Sequence, residues 1–426
     1  MIRAALALAA LALALPLHAQ TADEVSAAER ARFDNGELRR GADGNNPDAP
    51  NYANFDEANV GDLQPPPLFA SDADATPAGW PARRADLARL VEDEFVGRIP
   101  EAAKDLRVVW SSQEEPGGGT HLVGQVMAPD GRMGPTIDAV VTMPPGATGP
   151  VPALIEYAYM LPPGFVIPPS MMPRRSVREV ALERGWAHIA YRATLLQADD
   201  LAKLQDGVIG LTRFPRQEHD WGALRAWGWG ASRLRERLAM DPRIAGDRIS
   251  LAGHSRFGKA VLAAAAFDHE FADALVSSSG AGGTKLMRRD LGERIENMAD
   301  PYASIWYAPR IRHYAGKATV ADWPVDAHMM IALRAPRPLF VASGLASEGD
   351  AWVDPRGQWL AVGLAQPAWE LQGLPVPPES EQPAPLGRDQ ALFPLGWYQH
   401  DQGHVMTPAV DAFIDHANAF APQEDN

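Results

Sequence analysis

The sequence predicts an α/β protein: a mainly parallel sheet in a three-layer αβα sandwich. Two patterns carry that prediction. From Val151 to Phe420, apolar runs of strand length alternate with helical stretches. Within this alternation, Ile249-Ser250-Leu251-Ala252 runs through Gly253-His254-Ser255-Arg256-Phe257-Gly258-Lys259 straight into the helix-forming run Ala260 to Phe267. A strand that turns so sharply into a helix brings two backbones close together, so small residues are required there. A serine at that turn stands on a strained backbone with its hydroxyl exposed, and the helix N-terminus supplies N–H groups beside it.

The rest of the composition narrows the function. The chain has 426 residues, 46% hydrophobic and 22% charged, which is enough for a large core without cross-links. The formal net charge of −15 argues against nucleic acid or anionic membranes as partners. With no cysteine, thiolate catalysis and cysteine metal sites are ruled out, and neither metal nor cofactor is expected. Met1-Ile2-Arg3, the apolar run Ala4 to Leu15, and Pro16-Leu17-His18-Ala19 read as a signal peptide over residues 1–19. The run is short for a membrane span. An exported protein, periplasmic or secreted, is therefore expected, and a monomer.

In chain order, residues 20–78 are polar and rich in Asn, Asp and Pro, which reads as an extended N-terminal segment lying over a catalytic domain of residues 79–426. Trp80 to Val96 has helical spacing, closed by Gly97-Arg98-Ile99-Pro100. Leu106–Ser111, His121–Met127 and Thr136–Met143 alternate as antiparallel strands do. Val151–Tyr157 is a buried strand, and Met160–Pro173 a loop after it that can supply an oxyanion N–H. Trp186–Tyr191 is a strand, Ala198–Gln217 an irregular connection, and Glu218–Met240 a helix whose Trp221, Trp227 and Trp229 belong to the core. After the serine turn come the strand Ala274–Ser279, the helix Asp326–Leu333, the strand Arg337–Ser343, the helix Trp352–Leu364, the strand Gly396–Asp401 and the helix Thr407–Phe420.

A serine hydroxyl becomes a nucleophile at neutral pH only beside a general base that a carboxylate orients. In folds with a serine at such a turn, acid and histidine follow it in the chain. Of the six later histidines, His404 alone sits in a glycine-flanked loop between the last strand and last helix. His328 falls in a helical pattern and reads as structural, and His416 reads as an exposed residue of the last helix. The acid is expected in the loop after Arg337–Ser343, which holds Glu348, Asp350 and Asp354. Either aspartate could instead cap the following helix.

Gly253-His254-Ser255-Arg256-Phe257-Gly258-Lys259 resembles the Gly-x-Ser-Arg-x-Gly-Lys signature of the glucuronoyl esterases, carbohydrate esterases with an α/β-hydrolase fold. Gly403-His404-x-x-Thr407 and Asp350-Ala351-Trp352-Val353-Asp354-Pro355-Arg356-Gly357 are similar to motifs of its bacterial members. The resemblance spans about Trp80 to Phe420. It implies Ser255 as nucleophile, His404 as base, Asp350 as acid, Arg256 as oxyanion donor, and Lys259, Glu293 and Trp352 as sugar contacts. Many members carry the acid as a glutamate after the preceding strand. That position is Ser278 here, so the role shifts to Asp350. The implied substrates are (4-O-methyl-)glucuronoyl esters of glucuronoxylan, including lignin–carbohydrate ester links. The alternatives are a carboxylesterase or carbohydrate deacetylase of different specificity, and a non-catalytic hydrolase fold that binds polysaccharide.

Overall fold

The structure, a computed structural model, describes residues 53–61, 64–116, 118–160, 175–300, 302–316, 318–377, 386–387 and 391–421. The expected signal peptide and nearly all of the Met160–Pro173 loop lie outside the described residues. Among the described residues, no helix is long and apolar enough to cross a membrane.

The strands are β1 (Arg107–Glu114), β2 (Thr120–Met127), β3 (Met133–Thr142), β4 (Val151–Tyr157), β5 (Ala187–Tyr191), β6 (Ile244–His254), β7 (Ala274–Ser277), β8 (Leu339–Ser343) and β9 (Leu395–Gln399). They form one sheet in the order β1-β2-β3-β5-β4-β6-β7-β8-β9. The pairs from β1 to β3 and from β3 to β5 are antiparallel, and all later neighbours are parallel. The α/β-hydrolase fold expected from the sequence is therefore present. Every parallel strand ends at the same edge, so the loops after β6, β7, β8 and β9 converge there.

Residue alternation decides which helices cover which face. Leu154, Ala252, Leu275 and Phe340 point to a cluster with Val180 of α2 (Val177–Glu183) and with Val410 and Phe413 of α7 (Thr407–Ala419). Their strand neighbours Ile155, Leu251, Val276 and Val341 point the other way. They join the larger core under α1 (Trp80–Val91), α3 (Ala223–Leu238), α4 (Arg256–Phe267), α5 (Ala327–Ala332) and α6 (Pro355–Ala365). Trp221 and Trp227 are fully buried in that core, as expected.

Several boundaries differ from the sequence reading for local reasons. The helix expected from Glu218 begins only at Ala223. The Asp220 carboxylate turns back to accept from the Gln217 N–H at 2.6 Å, and residue 98 pairs with residue 220 as an isolated bridge. The helix expected from Trp352 begins at Pro355, because Asp354 adopts φ 48° and accepts from the Gly357 N–H at 3.0 Å. Asp354 is thus the helix cap, which separates its role from that of Asp350. The connection after β5 contains a short helix, Val208–Thr212. The described part of the N-terminal segment is fixed on the domain. Asn54 is buried and exchanges backbone hydrogen bonds with Gly292 (2.9 and 2.6 Å), and Leu68 joins the core.

The turn after β6 depends on Gly253. A Cβ there would meet the Phe257 carbonyl oxygen at 2.3 Å and its carbon at 2.6 Å, both backbone atoms that cannot step aside. Gly253→Ala should therefore lower the thermal unfolding midpoint sharply, by the several kcal/mol characteristic of overpacked cores (~1–3 or more). The control is Gly131→Ala: its added Cβ meets nothing within 4 Å, although φ is +87°. Equal midpoints for the two variants would contradict the close approach.

Candidate active site

Ser255 stands between β6 and α4 with φ 57° and ψ −126°, a conformation that costs an L-residue on the order of 1–3 kcal/mol and persists only where the surroundings impose it. Its N–H donates to the Ser277 carbonyl at the end of β7 (2.9 Å), and the Lys259 N–H donates to its own carbonyl (3.2 Å). The turn is thereby fastened to the neighbouring strand and to the first turn of α4, whose N-terminal N–H groups begin at Arg256.

Asp350 follows β8 and is completely buried. Its Oδ1 accepts from His404 Nδ1 at 2.7 Å, while Oδ2 accepts from Ser278 Oγ (2.7 Å), Ser343 Oγ (3.0 Å) and the Gly344 N–H (2.7 Å). Burial alone would raise this carboxyl, but the bond and charge from His404, with the Ser278 and Gly344 bonds, hold its pKa below the ordinary value. Facing an ionised carboxylate, Nδ1 carries the imidazole proton, so Nε2 is left with a lone pair to accept another. Glu348 is exposed and lies off this network. Ser278, just after β7, supports this carboxylate through its hydroxyl.

The His404 ring is held between two others, Trp352 at 4.6 Å and His254 at 4.3 Å between centroids. His254 directly precedes Ser255, so this contact brings the histidine loop against the serine turn. Its Nδ1 lies 3.2 Å from Ser277 Oγ, and burial, with the charge of His404 next, pushes its pKa down to about 3. His254 is thus a neutral aromatic wall against the His404 ring. Two other histidines have structural partners. His328 donates to the Pro66 carbonyl at 3.0 Å, as the sequence reading expected. His416, expected on the surface, is fully buried between the Asp273 carboxylate (2.6 Å) and the Phe393 carbonyl (2.7 Å). Helical periodicity placed it on α7 but could not show that its face turns inward onto β7.

Beside the turn lies a cavity of about 590 Å³, lined by Lys259, Glu293, Tyr302, Trp306 and Trp352, with Phe55 from the N-terminal segment. Lys259 is buried, and its Nζ donates to the Ser279 carbonyl at 2.5 Å and lies 3.5 Å from Glu293 Oε2. Burial lowers its pKa, with Glu293 opposing the shift. Glu293 Oε2 also accepts from the Ala281 N–H at 3.0 Å, which is possible because Gly280 (φ +59°) has no Cβ to fill that space. Arg256 does not project alone into solvent. Its Nη1 lies 3.1 Å from Asp199 Oδ2 and donates to the Tyr302 hydroxyl.

The structure therefore brings Ser255, Arg256, Lys259, Glu293, Asp350, Trp352 and His404 to one edge of the sheet. Sequence reasoning missed Asp199, Tyr302, Trp306, Phe55 and His254. Only His254 carried a signal, its place inside the serine motif. The others lie in segments without periodicity. Among the described residues, no cluster of three or more histidine or acidic side chains is arranged to hold a metal ion.

The family model described as glucuronyl esterase, fungi, matches residues 127–373. The chain belongs to the glucuronoyl esterase family. It is thereby among the carboxylic ester hydrolases. The matched span contains Ser255 and Asp350 but stops before His404. The chain is similar to a glucuronoyl esterase of carbohydrate esterase family 15 from Teredinibacter turnerae T7901, at 35% identity and a TM-score of 0.80, covering 93% of this chain and 99% of that one. It is also similar to carbohydrate esterase MZ0003 of an unknown prokaryotic organism, 27% identical over 76% of this chain and 82% of the relative. The 4-O-methyl-glucuronoyl methylesterase of Podospora anserina is 25% identical over 70% of this chain, and this chain spans 57% of that protein's length.

The neutral state of His254 has a consequence for stability in this esterase. Its folded pKa lies below the ordinary 6.5, so between pH 6.5 and about 3 the unfolded chain binds a proton that the folded chain does not. The contribution is intact above 6.5 and is lost as the pH falls through that window. Thermal midpoints measured from pH 7 to pH 4 should decline, and His254→Phe, which keeps a ring against His404, should decline less. An equal slope in the variant would contradict the assignment.

Proposed function

We propose that this protein is an exported serine esterase that hydrolyses (4-O-methyl-)glucuronoyl esters of glucuronoxylan, including ester links to lignin alcohols, through an acyl-enzyme. The observation that carries this reading is the buried Asp350–His404 pair, 2.7 Å apart, at the sheet edge where Ser255 is held on its strained turn. Membership of the glucuronoyl esterase family supports the ester class, and the names of relatives such as the Podospora anserina methylesterase support the uronate. The basic and apolar N-terminus supports export, to the periplasm or the medium.

In the mechanism, His404 Nε2 takes the proton of Ser255 Oγ as that oxygen attacks the ester carbonyl. Asp350 stays ionised, keeps the proton on Nδ1, and stabilises the imidazolium. The carbonyl oxygen becomes an anion beside the Arg256 N–H and guanidinium, where a fixed donor is worth on the order of 3 kcal/mol in rate. Collapse returns the His404 proton to the departing alcohol. Water then enters, loses a proton to His404, and releases the glucuronate acid by the same path. Lys259 and Glu293 offer a donor and an acceptor to sugar hydroxyls, and Trp352 offers a ring face. Because these contacts are made in ground and transition states alike, their loss should raise KM more than it lowers kcat.

The test is hydrolysis of methyl glucuronate against methyl galacturonate by the wild type and by Ser255→Ala and His404→Ala. The expected result is a clear preference for the glucuronate ester. Both variants should lose roughly four orders of magnitude or more in kcat, Ser255→Ala at the wild-type unfolding midpoint and His404→Ala at a lowered one but still folded in the assay. A folded Ser255→Ala enzyme with normal kcat would end the serine-esterase reading. Equal rates on the two sugars would end the proposed specificity.

A further inference from the structure

Asp199 lies in the connection after β5, far from the serine motif in sequence and read there only as irregular. Its two carboxylate oxygens serve different groups of the cavity. Oδ2 is 3.1 Å from Arg256 Nη1, and Oδ1 accepts from the Trp306 indole Nε1 at 2.5 Å. The Asp199 side chain is 13% exposed and that of Arg256 28%, so the pair is largely shielded from solvent. The Tyr302 hydroxyl accepts from the same Nη1, and the Tyr159 ring lies 5.2 Å beneath the guanidinium carbon. Arginine side chains are long and lose much freedom when ordered. Here a carboxylate, a phenol and a ring face fix one, and the carboxylate also holds the Trp306 indole of the cavity wall.

We propose that Asp199 is a positioning residue, which holds the Arg256 guanidinium at the reacting carbonyl and, through the same carboxylate, sets the Trp306 wall of the sugar cavity. This rests on the oxyanion role proposed above for Arg256. A donor stabilises a developing anion only if it is already in place when the charge forms. Without Asp199 the guanidinium keeps the Tyr302 hydroxyl and the Tyr159 ring but loses the charge that pairs with it. The ion pair therefore acts on the transition state, whereas the indole bond acts on the shape that receives the sugar. Burial raises the Asp199 carboxyl, and the charge of Arg256 opposes that rise.

The experiment measures kcat and KM on benzyl glucuronate for Asp199→Asn, Arg256→Ala and the double variant, with a thermal midpoint for each. Asparagine keeps the shape but offers one acceptor oxygen to two donors and no charge. Asp199→Asn should lower kcat about tenfold or more and raise KM by a smaller factor, the part owed to the Trp306 wall. The double variant should be no slower than Arg256→Ala alone, as for two residues acting through one interaction. Normal kcat in Asp199→Asn beside a crippled Arg256→Ala overturns the inference, and so do losses that multiply in the double variant. Near-normal Arg256→Ala overturns the oxyanion role itself, and the inference with it. Should Asp199→Asn unfold below the assay temperature, Asp199→Glu keeps the charge but displaces the guanidinium by one methylene. The same selective loss of kcat is then expected, and wild-type kcat overturns the inference.

Discussion

A single buried carboxylate ties the active edge of the sheet together. Asp350 is completely inaccessible, and a lone charge there would cost several kcal/mol. Four donors offset that cost: Ser278 after β7, Ser343 and Gly344 at the end of β8, and His404 after β9. Hydrogen bonds to an ionised acceptor are about twice as strong as neutral ones, so the same contacts that keep Asp350 charged also lock three loops to one another. The position of His404 is therefore a consequence of satisfying Asp350.

From that anchor the rest of the site follows by packing. His404 is confined between Trp352 and His254, and His254 is continuous with Ser255, so the rings set how the histidine loop meets the serine turn. Ser255 is held in its strained conformation by bonds to β7 and α4. Ser278, at φ 42°, is itself in an unusual conformation, and it uses its hydroxyl to support the acid from the strand end where other family members were expected to carry theirs. The end of β7 and the loop after β8 thus meet at one carboxylate.

Much of this was legible in the sequence because it lies in dense local patterns. The apolar strands β4 to β9, the turn at Gly253 to Gly258, and the loops bearing Asp350 and His404 are each written in a few adjacent residues. Choosing among Glu348, Asp350 and Asp354 was harder, since all three lie in the one loop after β8 and Glu348 stands nearest Asp350. The structure separates them by backbone: Asp354 folds back onto Gly357, and Asp350 reaches across to His404. What could not be read depends on distant segments meeting. Asn54 pairs with Gly292 and carries Phe55 into the cavity wall, and Asp199 meets Arg256 and Trp306 across more than fifty residues each way. The inward face of His416 likewise depends on Asp273, just before β7. None of these leaves a periodic trace in the chain.

In the proposed mechanism the charge on Asp350, acting through His404, activates Ser255. The most direct measurement is the rate at which a serine-reactive phosphonate labels the protein, with the adduct located by peptide mass. The account predicts one adduct, at Ser255. Labelling should be slowed roughly a hundredfold or more in Asp350→Asn and hardly at all in Glu348→Gln. An adduct on another residue, or undiminished labelling of Ser255 in Asp350→Asn, would contradict it.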